Sequence, residues 1–250
     1  MVIPAYNEAP AIGDTVRAAA GIPGVTEIWV VDDGSDDATA EIAAAAGAEV
    51  IRLKRNSGKG AALNAAAAYL NGQAVLLLDA DVGSTAREGE KLLRPLWSGE
   101  ADLVVGRFSG PAPGSPGEQG GAKAGLAAGE AVPRHAAGDG GGLGLVKGLA
   151  RWGVQRLTGR QVGAVLSGQR AMWHRVWEAI LPFPAGFGVE VVGTVRALRR
   201  GFRLKEVEVE MTHKATGRDW AGFYHRGRQF LHVGAALLSC LSERGEGPSS

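Results

Sequence analysis

Short apolar runs that each end in a polar or acidic cluster recur through the first hundred residues of this 250-residue chain. Val2 and Ile3, residues 27–31 and residues 74–78 form such runs, and stretches of helical periodicity lie between them. Strands that alternate with helices predict βαβ units, hence an α/β fold with a mostly parallel central sheet flanked by helices. The carboxyl ends of parallel strands share one edge, where ligands bind. We therefore expect the polar clusters to meet on one rim.

Local patterns give expected bounds for the other elements. Helices are predicted over residues 8–20, 36–46, 57–70, 85–97, 145–157, 187–200 and 219–241, and further strands over residues 49–53, 102–105 and 203–211. Residues 109–148 are rich in glycine and proline, which predicts a flexible loop. We expect a single domain in which residues 1–108 form a nucleotide-binding half and residues 149–250 an acceptor-side half.

Composition narrows the class of protein. A formal net charge of +1 argues against a nucleic-acid partner. The single cysteine, Cys240, excludes an internal disulfide and fits a reducing compartment. No basic leader precedes the first strand and no run of 18 apolar residues occurs, so we expect a cytoplasmic protein without a signal peptide. Basic and aromatic residues in the last predicted helix leave open a peripheral position on the inner face of the membrane.

Two carboxylates follow the third apolar run, in the segment Asp79-Ala80-Asp81. Oxygen ligands of this kind suit Mg²⁺ or Mn²⁺, which keeps waters and bridges substrate phosphates. Such an ion would neutralise the charge that develops on a departing diphosphate. The alternative interpretation is a solvated turn or a helix cap.

The two earlier clusters suit a nucleotide. A carboxylate of Asp32 or Asp33 could accept hydrogen bonds from a base or a ribose, and the alternative is a capped strand-to-helix turn. After the first strand, Tyr6 could cover a base that Glu8 orients, and the alternative is an acidic helix start. The glycine-rich dinucleotide fingerprint is absent there. Lys59, at a predicted helix start, suits phosphate but is also interpretable as a surface charge.

Four segments carry a resemblance to a known family. They are Ile-Pro-Ala-Tyr-Asn-Glu, Val-Val-Asp-Asp-Gly-Ser, Asn-Ser-Gly-Lys-Gly-Ala-Ala-Leu-Asn and Leu-Leu-Asp-Ala-Asp. In this order the chain resembles family 2 glycosyltransferases, chiefly the dolichyl-phosphate mannose synthase-like branch and bacterial relatives near glucosyl-3-phosphoglycerate synthases. The strong match covers residues 2–107, and a second covers roughly residues 160–232.

The resemblance implies a GT-A fold, a nucleoside-diphosphate sugar donor such as a UDP- or GDP-sugar, a divalent metal and inversion at the anomeric carbon. It implies that Asp79 and Asp81 serve the metal and the diphosphate. The positions that it places on the nucleotide are Pro4, Ala5, Tyr6, Glu8, Asp33, Lys59 and Ala80.

The second half supplies candidates for the acceptor side. Glu190, on a predicted helix start, could act as a general base or simply complement the helix dipole. Arg218 could clamp phosphate, and Arg170 could meet an acidic acceptor or line the core. In similar relatives the segment that contains His213 and Lys214 suggests a histidine on the metal and basic residues on the diphosphate. A structural histidine is the alternative.

The chain is thus predicted to be a metal-dependent hexosyltransferase in which Asp81 and Glu190 act in catalysis. The acceptor is either a polyprenyl phosphate at a membrane surface or a small acid or glycan, and a homodimer is left open. The alternatives are a non-catalytic nucleotide-sugar binder and a sugar nucleotidyltransferase. The latter would need a glycine-rich basic loop after the first strand, which residues 4–8 do not provide.

Overall fold

A computed structural model describes residues 1–108, 143–184, 188–212 and 233–241. Within these ranges, seven strands form one sheet in the order β3-β2-β1-β4-β6-β5-β7. The strands are β1 (Val2–Ala5), β2 (Trp29–Asp32), β3 (Glu49–Arg52), β4 (Ala74–Leu77), β5 (Leu103–Phe108), β6 (Arg170–Trp173) and β7 (Leu204–Val209). All described pairings are parallel except those of β6, which confirms the predicted α/β fold with a mostly parallel sheet.

Helices cover both faces of the sheet. They are α1 (Ile12–Ala20), α2 (Thr39–Ala45), α3 (Lys59–Ala66), α4 (Glu90–Trp97), α5 (Leu143–Thr158), α6 (His174–Ile180), α7 (Val189–Arg199) and α8 (233–241), with a 3-10 helix over Gly83–Gly89 before α4. None of the helices in the described ranges combines the length and apolar character needed to cross a lipid bilayer.

Alternating strand residues build two cores, one on each face of the sheet. Ile3 and Val30 pack with α1, α2 and α4, whereas their neighbours Val2 and Val31 pack with α3, α6 and α7. Both faces of these parallel strands are buried, which explains why their sequences are continuous apolar runs. A third core joins α5, α7 and α8.

β6 is the reversed strand that completes the rim. It lies between β4 and β5 and runs antiparallel to both, with Arg170 opposite Leu77 of β4 and Val105 of β5. The start of β6 therefore lies at the edge where its two neighbours end. The segment before β6 reaches the rim for this topological reason.

Several predicted element bounds differ from the observed ones, and three of them were wrong in a way that has a clear structural reason. The first helix begins at Ile12 rather than residue 8, because residues 9–11 form a turn in which the Glu8 carbonyl accepts from the amides of Ala11 and Ile12. The helix expected over residues 85–97 is divided into the 3-10 helix and α4. The loop was expected to extend to residue 148, but α5 begins at Leu143. The reason is that Val146, Ala150 and Val154, one helical turn apart, are buried in the core that α5 shares with α7 and α8.

Candidate active site

The rim carries the ends of β1, β2 and β4, the start of β6 and the first turns of α3 and α7. Asp79 follows β4, and its carboxylate is held by two side chains from distant parts of the chain. Lys59 Nζ lies 2.8 Å from Asp79 Oδ1, and Gln169 Nε2 donates to Asp79 Oδ2 over 2.6 Å. The backbone amide of Asp79 donates to Gln169 Oε1 over 3.1 Å. The predicted acidic cluster is therefore fixed by a cation and by an amide.

Lys59 joins the two halves of the chain. It is the first residue of α3, and its ammonium also lies 2.8 Å from Oε1 of Glu190, in the first turn of α7. Burial alone would lower the pKa of Lys59, but the carboxylates of Asp79 and Glu190 outweigh burial and raise it above its ordinary value. Lys59 thus stays charged at every physiological pH.

Arg170 lies beneath this ion pair rather than on the open rim. Arg170 is only 3% exposed. Its guanidinium donates hydrogen bonds to the carbonyls of Ser167 and Val165 and to Thr194 Oγ1. Burial lowers its pKa to about 10, although the nearby charges of Glu190 and Asp79 oppose that shift. Its role toward a diphosphate or an acceptor stays a prediction. In this structure its N–H groups are hydrogen-bonded to oxygen atoms of the protein.

Asp33 organises the start of α3. Its two carboxylate oxygens accept from the amides of Ser57 and Gly58, over 2.8 and 2.7 Å. Gly58 precedes α3 with a φ of 88°, a conformation that favours glycine. The carboxylate that was predicted to meet a base or ribose therefore positions the loop that presents Lys59.

Asp32 is fully buried and serves the turn that follows β2. Its Oδ1 accepts from the amide of Ser35 over 3.0 Å, and its Oδ2 forms a salt bridge with Arg52, whose Nε lies 3.1 Å away. The strand-to-helix turn that the sequence left open is present here, but α2 begins after Ala38 and has no side-chain cap at that position. A contact of Asp32 with a nucleotide stays a prediction.

The β1–α1 loop presents the other nucleotide candidates. Pro4 and the buried Ala5 belong to β1, and Tyr6 beyond them is 40% exposed. Asn7 has a φ of 55°; its amide donates to Ser35 Oγ, and its side chain accepts from the amide of Asp36. The backbone amide of Glu8 donates to Thr39 Oγ1. The first two loops of the rim are thus tied together, with Tyr6 at their surface.

Ala80 and Asp81 lie beside Asp79 on the same rim. Ala80 is buried, and its carbonyl accepts from Thr15 Oγ1 over 2.7 Å, while Thr15 accepts from the amide of Gly83 over 2.8 Å. This buried hydroxyl fixes the backbone on both sides of Asp81, which is partly exposed. The pattern of short strands did not reveal the role of Thr15.

The donor set suits a hard divalent cation. Asp79 and Asp81 offer carboxylate oxygens at one strand end, and Mg²⁺ is commonly bound by one or two carboxylates together with substrate phosphates. Each oxygen of Asp79 accepts one protein donor, which leaves lone pairs for a further partner. In the ranges that the structure covers, no three His, Cys, Asp or Glu side chains cluster as a metal site. The other predicted residues, His213, Lys214 and Arg218, lie outside the described residues.

Sequence reasoning missed the side chains that join the two halves. The side-chain amide of Asn64 in α3 and the backbone of Phe183 exchange two hydrogen bonds, of 2.8 and 2.9 Å. A Cβ on Gly60 would lie 1.9 Å from the carbonyl oxygen of Pro184. Gln169 was likewise assigned no role of its own. Polar residues and glycines of this kind carry no periodic signal, because their partners are 90 or more residues away.

The sheet and its flanking helices have the GT-A fold that is found in glycosyltransferases. The chain superposes on the glucosyl-3-phosphoglycerate synthase of Mycobacterium tuberculosis, crystallised with Mn²⁺, UDP and phosphoglyceric acid, with a TM-score of 0.72 and 25% identity over 99% of this chain and 78% of the other. A structure described as a mycobacterial protein gives a TM-score of 0.71 and 26% identity, over 96% of this chain and 73% of the other.

Residues 1–118, just under half of the chain, match the model of the family described as Glycosyl transferase family 2. Glycosyltransferase AglJ of Haloferax volcanii is 35% identical over 116 residues, which are 46% of this chain and 38% of the relative. The undecaprenyl-phosphate 4-deoxy-4-formamido-L-arabinose transferase of Salmonella choleraesuis is 33% identical over 103 residues, 37% of this chain and 32% of the relative. The chain thus spans less than half the length of both curated relatives.

Proposed function

We propose that this chain transfers a hexose from a nucleoside-diphosphate sugar to an acceptor that bears a phosphate, with the help of Mg²⁺ or Mn²⁺. One observation carries the proposal: Asp79 from the part that matches the family 2 model and Glu190 from the second part converge on the ammonium of Lys59. In a transferase, the residues that bind the donor and those that bind the acceptor must lie next to each other. In this proposal Lys59 contacts one residue from each side. A binder that only retains a nucleotide has no need of Glu190 at this position.

The residues of the rim have separable tasks in this proposal. Asp79 and Asp81 would hold the metal ion, which when bound neutralises the negative charge of the leaving diphosphate. Lys59 adds a fixed positive charge beside them, presented at the start of α3 by Asp33. Because the site is preorganised by protein hydrogen bonds, this charge needs little rearrangement during the reaction.

Glu190 faces the acceptor side. A carboxylate that is only 14% exposed and paired with Lys59 can accept a proton from an acceptor hydroxyl or orient an acceptor. A phosphate acceptor is already ionised and needs no strong base, so Glu190 would then orient rather than deprotonate. Inversion by a single displacement is the outcome that accords with the family resemblance.

The names of similar proteins support the acceptor class. One relative is named for undecaprenyl phosphate, and one structural neighbour was crystallised with phosphoglyceric acid. Both molecules bear a phosphate group, although one is a lipid and the other a small soluble acid. The predicted cytoplasmic or membrane-peripheral location depends on which of the two this chain uses.

The test is a thermal-unfolding screen with UDP-, GDP-, ADP- and TDP-sugars, each in Mn²⁺ and in EDTA. A ligand at a hundredfold excess over its Kd stabilises the folded state by about 2.7 kcal/mol, which is readily measured. We expect a metal-dependent shift with one nucleotide, lost in Asp81→Asn and kept in Asp36→Asn. Product formation with undecaprenyl phosphate or with 3-phosphoglycerate then identifies the acceptor. No shift with any donor would contradict the proposal, and pyrophosphate release from a nucleoside triphosphate would favour a nucleotidyltransferase instead.

A further inference from the structure

Gln169 is a fully buried amide that faces the acidic rim rather than the apolar core. Its side chain makes a two-point contact with one residue: Nε2 donates to Asp79 Oδ2 over 2.6 Å, and Oε1 accepts from the Asp79 amide over 3.1 Å. A flipped amide would place a donor against a donor and an acceptor against an acceptor. The orientation of Gln169 is therefore fixed by Asp79, and the orientation of the carboxylate is fixed in return.

The surroundings leave the Asp79 carboxylate little freedom. Lys59 Nζ donates to Oδ1 over 2.8 Å and Gln169 donates to Oδ2, so each carboxylate oxygen has its own protein donor. A Cβ on Gly168 would lie 2.4 Å from Oδ1, which shows that the backbone before Gln169 packs directly on the carboxylate. A rotation of the carboxylate would break both hydrogen bonds or collide with this backbone.

Gln169 itself is anchored through its backbone. Its amide donates to Ser167 Oγ over 3.3 Å, and its carbonyl accepts from the amide of Gly106 in β5 over 2.8 Å. The reversed strand β6 thus brings a rigid donor to a carboxylate that lies 90 residues earlier in the chain. Buried polar groups whose donor and acceptor atoms are both hydrogen-bonded in this way favour one arrangement.

We infer that Gln169 is a positioning residue that sets the orientation of the Asp79 carboxylate for the metal-bound diphosphate of the donor. This inference rests on the proposed function. Groups that hydrogen-bond the carboxylates of a metal site typically change metal affinity or activity roughly 10- to 100-fold when removed. The residue acts through Asp79, so its effect should appear in metal-dependent donor binding.

The experiment uses Gln169→Glu, which keeps the shape and Oε1 but loses the donor, and Gln169→Leu, which loses both groups. Isothermal titration calorimetry of the full chain with UDP, GDP, ADP and TDP, at several Mn²⁺ concentrations, gives the nucleotide Kd and its dependence on metal. We expect both variants to weaken the preferred nucleotide at least about tenfold at limiting Mn²⁺. Met172→Ala is the control, because it creates a cavity in β6 without contacting Asp79.

A double variant separates positioning from folding. Gln169→Glu with Asp79→Asn exchanges donor and acceptor, so the pair can form again while the charge at position 79 is lost. We expect the double variant to recover the melting temperature lost by Gln169→Glu, a non-additive effect, but not the nucleotide affinity.

Two results would overturn the inference alone: wild-type nucleotide affinity in both Gln169 variants, or an equal loss of affinity in Met172→Ala. A wild-type protein that binds none of the four nucleoside diphosphates at any Mn²⁺ concentration would overturn the proposed function, and the inference with it.

Discussion

Lys59 Nζ and Glu190 Oε1 lie 2.8 Å apart, and this ion pair connects the start of α3 to the start of α7. The same ammonium contacts Asp79, so one cation balances two carboxylates in a site that is mostly shielded from water. Removing either partner of such a pair leaves an uncompensated charge, which costs more than the pair contributes.

Lys59→Met should therefore destabilise the protein by about 2 kcal/mol, because Asp79 and Glu190 would repel each other without a cation between them. Urea unfolding followed by fluorescence measures the change. Adding Glu190→Gln to Lys59→Met should restore part of the loss, since one of the two facing charges is removed. Lys54→Met, at an exposed position before α3, is the control and should change stability by less than about 0.5 kcal/mol. Equal stability of Lys59→Met and wild type would show that the ion pair contributes nothing.

Gly60→Ala should loosen the contact between α3 and the segment before α7. The new Cβ would lie 1.9 Å from the Pro184 carbonyl, a distance that forces backbone movement. We expect a loss of about 2 kcal/mol or more, and weaker exchange protection of the Phe183 amide that bonds to Asn64.

The matched control for this substitution is Gly148→Ala in α5, where nothing lies within 4 Å of the added Cβ. Alanine has the higher helix propensity, so this variant should gain about 0.5–1 kcal/mol. If both substitutions had the same sign, the contact with Pro184 would not be the cause.

Asp33→Asn should weaken the start of α3. An asparagine side chain can accept one of the two amide hydrogen bonds, but its NH₂ group would face the other amide of Ser57 or Gly58. The expected loss is about 2 kcal/mol, with faster hydrogen exchange at these two amides. Asp36→Asn, at an exposed side chain in the same turn, should leave that exchange unchanged. Unaltered protection in Asp33→Asn would contradict the proposed role.

Asp102 gives a pH-dependent prediction. Hydrogen bonds from the Arg203 side chain, opposed by burial and aided by the Arg203 amide and Arg175, lower its pKa from 3.8 to about 2. Because the folded pKa is the lower one, the stabilisation is present above pH 4 and is lost as pH falls toward 2. Asp102→Asn should thus be less stable at pH 7 by about 2 kcal/mol at most, since both arginines are largely exposed.

The free-energy difference between Asp102→Asn and wild type should shrink between pH 4 and pH 2 in urea titrations. Asp14→Asn, which removes an exposed pair with Arg17, should differ from wild type by less than about 1 kcal/mol at pH 7. A constant difference across this pH range would mean that Asp102 stabilises the fold through shape rather than charge.

The sequence predicted the parallel part of the fold because its signals are local. Apolar runs such as residues 74–78 end in acidic pairs, and both properties can be identified within a few residues. The order of these runs was sufficient to place the clusters at Asp33 and Asp79 on one rim.

The reversed strand could not be predicted in the same way. Residues 170–173 carry no alternation, and only pairing with β4 and β5 makes them a strand. The contacts of Asp79 with Gln169 and of Lys59 with Glu190 join residues that are 90 or more positions apart. No local sequence pattern predicts such contacts. The role of Asp33 in holding α3 also depends on a loop from another βαβ unit.

The antiparallel direction of β6 also affects how such a chain can diversify. β5 ends and β6 begins at the same edge of the sheet, so both ends of the intervening stretch lie beside the candidate active site. The entropic cost of closing a loop grows only slowly with its length, by about 0.6 kcal/mol for each doubling. Insertions or deletions between these two strands are therefore expected to alter the neighbourhood of the candidate active site while leaving the sheet intact.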